Sequence, residues 1–145
     1  MSLYRWTLPG AFVALLPLIV AAQTIGEPDR LFRSSEILDI RIAAPLSTIM
    51  AQRNSDEEYD GMLQYRSEAG ETVELNIGIR SRGHFRLRKT VCEFTPLRLN
   101  FRQAQTDGSL FHKQDKVKLV THCRDNSERY QQAVLREYLA YRMFN

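Results

Sequence analysis

Residues 59–81 read YDGMLQYRSEAGETVELNIGIRS, and this stretch indicates a β-hairpin. Apolar and polar side chains alternate along two segments, Tyr59–Arg66 and Glu71–Ser81, with a turn at residues 68–70 between them. Four apolar residues share one face of the second segment: Val73, Leu75, Ile77 and Ile79. Successive side chains of a strand point to opposite faces, so this alternation predicts two paired strands with one buried face.

Three further alternating segments predict strands on either side of the hairpin. They are Glu36–Ile42, Pro96–Arg102 and Lys116–Thr121. A polar turn at residues 106–108 separates the last two, and the acidic residues 54–60 read as an exposed loop. The sheet is therefore predicted to be mostly antiparallel.

Two segments have the features of helices. Pro45 opens LSTIMAQR, a short helix with proline at its first position. Asp125 is followed three residues later by Glu128, the spacing of a capping box, and a long helix is predicted to run to Phe144. Its apolar face comprises Val134, Leu135, Tyr138, Leu139 and Tyr141. The predicted class is α+β, an antiparallel sheet with a short N-terminal helix and one long C-terminal helix packed on it.

The first 22 residues have the pattern of a secretory signal peptide. Arg5 supplies a positive charge, Leu8–Val20 is almost wholly apolar, and small residues precede Gln23 at the usual cleavage spacing. The apolar run is too short to span a bilayer, although an uncleaved N-terminal anchor is the alternative. We expect an exported protein, periplasmic or extracellular, without a stable membrane span after cleavage.

The remaining chain is long enough for one core. We expect a polar lead-in over residues 23–35 and a single α+β domain over residues 36–145. The formal net charge of +3 does not mark a nucleic-acid binder, so an electropositive site would have to arise from local clustering.

The chain has two cysteines, Cys92 and Cys123. In an oxidising compartment such a pair favours a disulfide. Two cysteines and three scattered histidines match no metal-ligand spacing, so no metal site is predicted.

Basic residues occupy every second position from Arg80 to Arg88: Arg80, Arg82, His84, Arg86 and Arg88. If the strand continued this far, all five would lie on one face. Arginine binds phosphate and carboxylate groups through two hydrogen bonds at once, so Arg80, Arg82 and Arg86 are candidate anion-binding residues. The alternative is a solvated face balanced by nearby glutamates: Glu57, Glu58, Glu71 and Glu74. No aromatic residues are interleaved on that face, which argues against nucleic acid.

Glu137 falls within the aromatic arc of the last helix and would need a cationic partner there. The preceding strand offers Lys118, and a strand lysine followed by a helix glutamate is the order of the pair that holds nucleotide phosphates in protein kinases. A purely structural ion pair would look the same. No catalytic residue is predicted, because the His122–Asp125 segment lacks the asparagine of a kinase catalytic loop: position 130 is Tyr130.

Four pieces of sequence occur in the order found in a known family. They are IGIRSRGHF at 77–85, KTVCEFTPLRLNF at 89–101, LFHKQDKVKLVTHCRD at 110–125 and LREYLAYRMF at 135–144. Over residues 73–143 the chain resembles the N-terminal half of the spore coat protein H family of secreted, kinase-like proteins. His84 departs from the asparagine common in that family, and the two cysteines are not a general feature of it.

The resemblance implies a kinase-like N-terminal lobe, from a truncated gene product or a diverged relative, without the later half that carries the family's metal-binding acids. It implies magnesium-ATP as a cofactor and Lys118 with Glu137 as a nucleotide-binding pair, but no phosphoryl transfer by this chain alone. We expect a domain that binds an anionic small molecule or an acidic protein or glycan surface. The alternative is a non-catalytic interaction module of the cell envelope or surface.

Overall fold

A computed structural model describes residues 29–144, and the predicted signal peptide over residues 1–22 lies outside them. Five strands form one antiparallel sheet in the order β1-β2-β3-β4-β5. The strands are β1 (Ile40–Ala43), β2 (Tyr59–Arg66), β3 (Thr72–Ser81), β4 (Leu97–Phe101) and β5 (Lys116–Leu119). Each strand pairs with the next one in the chain, so the sheet is a simple meander.

One face of the sheet carries the core. In β3 the buried positions alternate with more exposed ones, as the sequence pattern predicts. The buried cluster spans β2, β3 and β4, and Ile49 and Phe111 cover it. The Phe111 ring stacks on Phe101 at a centroid distance of 4.8 Å and meets Tyr65 edge-on at 5.5 Å. The opposite face is polar, and the candidate site lies there.

Three short helices accompany the sheet: α1 (Arg30–Arg33), α2 (Leu46–Ala51) and α3 (Gln103–Thr106). Helix α1 falls within the predicted polar lead-in, where Leu31 packs against the core. Helix α2 matches the predicted short helix, with Pro45 at the N-cap rather than at the first helical position. Strand β1 begins at Ile40, later than the predicted Glu36.

The five basic residues of 80–88 do not lie on one strand, so they do not share one face. Strand β3 ends at Ser81, and Gly83 has a φ of +104°, which residues with a side chain rarely adopt. A 3₁₀ helix at Phe85–Leu87 follows. The alternation in the sequence continues past the point where the backbone turns, so Arg86 leaves the face that carries Arg80.

Two arginines and a disulfide hold the irregular segment between the 3₁₀ helix and β4. Arg124 donates to the carbonyls of Thr90 and Val91 at 2.6 and 3.3 Å. Arg53 donates to the next two carbonyls, those of residues 92 and 93, at 2.8 and 3.0 Å. The predicted disulfide is confirmed: Cys92 and Cys123 are bonded, with their Cα atoms 4.4 Å apart.

The long helix α4 (Glu128–Phe144) completes the predicted α+β class. Asp125 does not cap it. The carbonyl of Ser127 accepts the first helical hydrogen bonds, from Tyr130 and Gln131, while Asp125 pairs with His122. Five apolar side chains of the helix are more than half exposed: Leu135, Tyr138, Leu139, Tyr141 and Met143. None of the helices within residues 29–144 is long and apolar enough to cross a membrane.

Candidate functional site

Three cations lie directly opposite one another on the polar face of the sheet. Arg80 of β3 pairs in register with Arg98 of β4, and Arg98 pairs with Lys118 of β5. Neighbouring strands are about 4.8 Å apart, so these three residues, here called the cationic row, are close neighbours. Like charges placed directly opposite in a sheet are destabilising. The row therefore requires compensation by carboxylates or by a bound anion.

The cationic row lines a cavity of about 320 Å³, here called the cationic cavity. Residues 54–56 and 81–84 form further parts of its wall, together with Leu87. Within the described part of the chain, five arginine and lysine side chains line it: Arg53, Arg80, Arg82, Arg98 and Lys118. One carboxylate, that of Asp56, lines it as well. This excess of positive charge makes the cavity suited to an anionic group.

Two of the three cations of the row have carboxylate partners. The guanidinium of Arg80 pairs with Asp56, and that of Arg98 lies 3.7 Å from Glu58. Among residues 29–144, no carboxylate pairs with Lys118 or with the side chain of Arg82. The protein's own acids therefore neutralise only part of the cavity.

Glu58 reaches the row because Gly78 leaves room for it. A Cβ at position 78 would lie 2.0 Å from a carboxylate oxygen of Glu58. Glu58 also accepts a hydrogen bond from the Asn100 side chain at 2.8 Å. Glycine at this strand position thus allows a carboxylate to lie across the sheet, held by an amide on one side and by Arg98 on the other.

The loop that carries Asp56 is tied down at both ends. The amide of Ser55 donates to the carbonyl of Gln52 at 2.8 Å, and the amide of Glu57 donates to the Ser55 hydroxyl at 3.1 Å. The Tyr59 hydroxyl contacts the side chains of Gln52 and Glu57. Desolvation, followed by the hydrogen bond to Glu57 and the charge of that carboxylate, raises the pKa of Tyr59 above its ordinary value. These contacts hold the loop beside the cationic row.

Of the three predicted anion-binding arginines, the structure brings together Arg80 and Arg82 and sets Arg86 apart. Arg86 lies beside a second cavity, of about 280 Å³, between the 3₁₀ helix and α4. That cavity is mostly apolar, with Phe85, Val91 and Val134 among its lining residues. Arg86 therefore belongs to the contact between α4 and the rest of the domain.

The predicted ion pair between Lys118 and Glu137 is not formed. Glu137 lies 3.5 Å from Arg86 instead, and Lys118 lines the cationic cavity. The carboxylate on α4 meets the segment that packs nearest to it, which is the 3₁₀ helix rather than β5. Within residues 29–144, no cluster of three or more metal-ligating side chains comes together.

Two residues of the site were not identified from the sequence. Arg98 belongs to the predicted strand Pro96–Arg102, and only the register of β4 puts it between Arg80 and Lys118. Arg53 lies two residues after the end of α2, and the residue is 7% exposed. An arginine so deeply buried must have its hydrogen bonds satisfied, and backbone carbonyls satisfy them here.

No family model, curated protein or solved structure matches this chain. The resemblance to the spore coat protein H family therefore stays a prediction based on its sequence motifs.

Proposed function

We propose that this chain is an exported domain that binds an anionic ligand, with phosphate or carboxylate groups, in the cationic cavity. The observation that carries the proposal is the cationic row: Arg80, Arg98 and Lys118 face one another in register. Such an arrangement does not stabilise the fold, because like charges opposite each other are destabilising. A ligand that supplies negative charge would remove that repulsion.

Two guanidinium N–H groups support the same proposal. The Nε atoms of Arg80 and Arg98 are buried and have no hydrogen-bond partner within the described residues. A buried donor without an acceptor costs about 1–3 kcal/mol. An anion with several oxygens would supply acceptors to a pair of arginines that their own carboxylates contact only at the terminal nitrogens.

The resemblance to the spore coat protein H family adds a nucleotide to the ligands that we propose to test. In that proposal Lys118, together with Arg80 and Arg98, would meet the phosphates of magnesium-ATP, and Glu137 would not take part because it pairs with Arg86. The chain is proposed as a binding domain and not as a complete enzyme.

Replacing Lys118 with methionine should weaken binding of pyrophosphate about tenfold or more, because the lysine supplies a charge-assisted contact in the cavity. Calorimetric titration of the full chain with pyrophosphate, and separately with magnesium-ATP, measures this. Lys116→Met is the matched control, since Lys116 lies two residues away on the same face of β5 and pairs with Asp115 at 3.2 Å. The affinity of the Lys116→Met variant for pyrophosphate should stay within twofold of that of the wild type.

Equal losses in the two lysine variants would show that only the overall charge matters, and the proposed site would be wrong. No binding of either anion by the wild type would contradict the proposal and favour the alternative, a protein-interaction module. Tight binding of magnesium-ATP together with weak binding of pyrophosphate would indicate that the ligand is a nucleotide.

A further inference from the structure

Asp56 is held in the cationic cavity by a single contact. Its carboxylate pairs with one terminal nitrogen of Arg80, and its side chain is 94% exposed. Within residues 29–144 it has no other hydrogen-bond partner. The Nε–H of the same guanidinium has no acceptor. Asp56 thus neutralises Arg80 without using the two-bond geometry that a guanidinium offers.

Glu58, two residues further along the chain, is held more firmly. It accepts from Asn100, lies near Arg98, and is enclosed over Gly78, with its side chain 31% exposed. Of the two acids beside the cationic row, Asp56 is therefore the one that a ligand can displace at low cost. An exposed ion pair of this kind stabilises the protein little, so its loss costs little.

We infer that Asp56 is an internal competitor for Arg80, and that it makes the cationic cavity selective for ligands with a multiply charged phosphate group over monocarboxylates. This inference rests on the proposed function. A carboxylate on a short loop has an effective concentration in the millimolar range or above at its own partner. A free monocarboxylate offers the same charge and the same two oxygens, so it gains little by displacing Asp56.

A phosphate group differs from a carboxylate both in its charge and in its number of acceptor oxygens. It carries nearly two negative charges near neutral pH and three strong acceptor oxygens. One group can therefore accept from the Nε–H and a terminal N–H of Arg80 together and still attract Lys118, which has no carboxylate partner within the described residues. A diphosphate adds a second such group and can extend along the row towards Arg98.

Replacing Asp56 with asparagine should raise the affinity for pyrophosphate about two- to fivefold, the ratio that corresponds to about 0.4–1 kcal/mol. The measurement is calorimetric titration of the full chain with pyrophosphate and, in parallel, with acetate as the monocarboxylate. Asp60→Asn is the matched control. Asp60 is also 94% exposed and also pairs with one arginine, Arg102 at 3.2 Å, but it does not line the cavity.

The expected result is tighter pyrophosphate binding in the Asp56 variant alone, together with a larger relative gain for acetate, so that the ratio of the two affinities is smaller than in the wild type. Pyrophosphate binding that is unchanged or weaker in Asp56→Asn would overturn the inference while leaving the proposed function intact. Equal gains in both variants would also overturn it, because general charge would then be the cause. If no protein binds pyrophosphate, the proposed function fails, and the inference fails with it.

Discussion

Replacing Arg53 with methionine should lower the free energy of unfolding by about 3 kcal/mol. Arg53 donates three hydrogen bonds, to the carbonyls of Met50, Cys92 and Glu93, at 2.8 to 3.0 Å. Methionine fills similar space but donates nothing, so the carbonyl of Cys92 is left buried without a partner. Each buried group that loses its partner costs about 1–3 kcal/mol. Urea denaturation monitored by circular dichroism measures the loss.

Arg41→Met is the control for this experiment. Arg41 lies on β1 and is exposed, so its removal should change the stability by no more than about 0.5 kcal/mol. A loss below about 1 kcal/mol in Arg53→Met would mean that water replaces the guanidinium, and the role assigned to Arg53 would be wrong. Arg53 also lines the cationic cavity, so the variant should be tested for pyrophosphate binding only under conditions where it remains folded.

The sequence predicted the sheet well because its signal there is periodic. Strand β2 has the predicted bounds Tyr59–Arg66, and β3 starts one residue after the predicted Glu71. Alternation specifies which side chains face the core, and the core face of β3 is the predicted one. The alternation does not indicate where β3 ends, because it continues through residues 82–88 although Gly83 turns the backbone.

The site could be predicted only in part because it depends on the register between strands. The sequence identified Arg80, Arg82 and Lys118, but it assigned Lys118 to a pair with Glu137. Alternation gives the face of a residue and not its neighbour across the sheet. The proximity of Arg80, Arg98 and Lys118 follows from strand order and register, which the pattern of one strand does not contain.

The contacts of the two acids beside the cationic row, Asp56 and Glu58, could not be predicted from the sequence pattern either. Glu58 was considered as a general counter-charge for a basic face, together with three other glutamates. Its actual position depends on the missing Cβ of Gly78, on the other strand of the hairpin. Asp56 was part of an exposed acidic loop, and its carboxylate is indeed exposed, yet it contacts Arg80. The partner of an acidic loop residue depends on where the loop lies over the sheet, and the sequence pattern does not give that position.

The disulfide and Arg53 act on the same piece of chain. Arg53 binds the carbonyls of Cys92 and Glu93, and the amides of residues 93 and 94 donate to the carbonyl of Cys123. The segment is therefore fixed on one side to the turn that follows α2 and on the other to Cys123, four residues beyond the end of β5. Since the two contacts share a partner, their effects on stability should not be additive, and a double-mutant cycle should give a coupling of about 0.5–3 kcal/mol.

Replacing both cysteines with alanine should lower the free energy of unfolding by about 3–4 kcal/mol. The bond between Cys92 and Cys123 closes a loop with a sequence separation of 31 residues, and in the chain-entropy model a loop of this length accounts for a loss of that size. Alanine is the appropriate replacement because Cys92 is fully buried, where a serine hydroxyl would need a partner. Urea denaturation of the oxidised wild type and of the variant measures the difference.

Reduction of the wild type is the internal control, because a reducing agent should lower its stability to about that of the variant and leave the variant unchanged. The loss should also reach α4, since Cys123 lies five residues before Glu128 and none of the described side chains of the helix is fully buried. Amide hydrogen exchange over Glu128–Phe144 should therefore become faster when the bond is removed, more than exchange in β3 does. Equal acceleration in both elements would indicate that exchange occurs through global unfolding, and the specific effect of the disulfide on α4 would then be wrong.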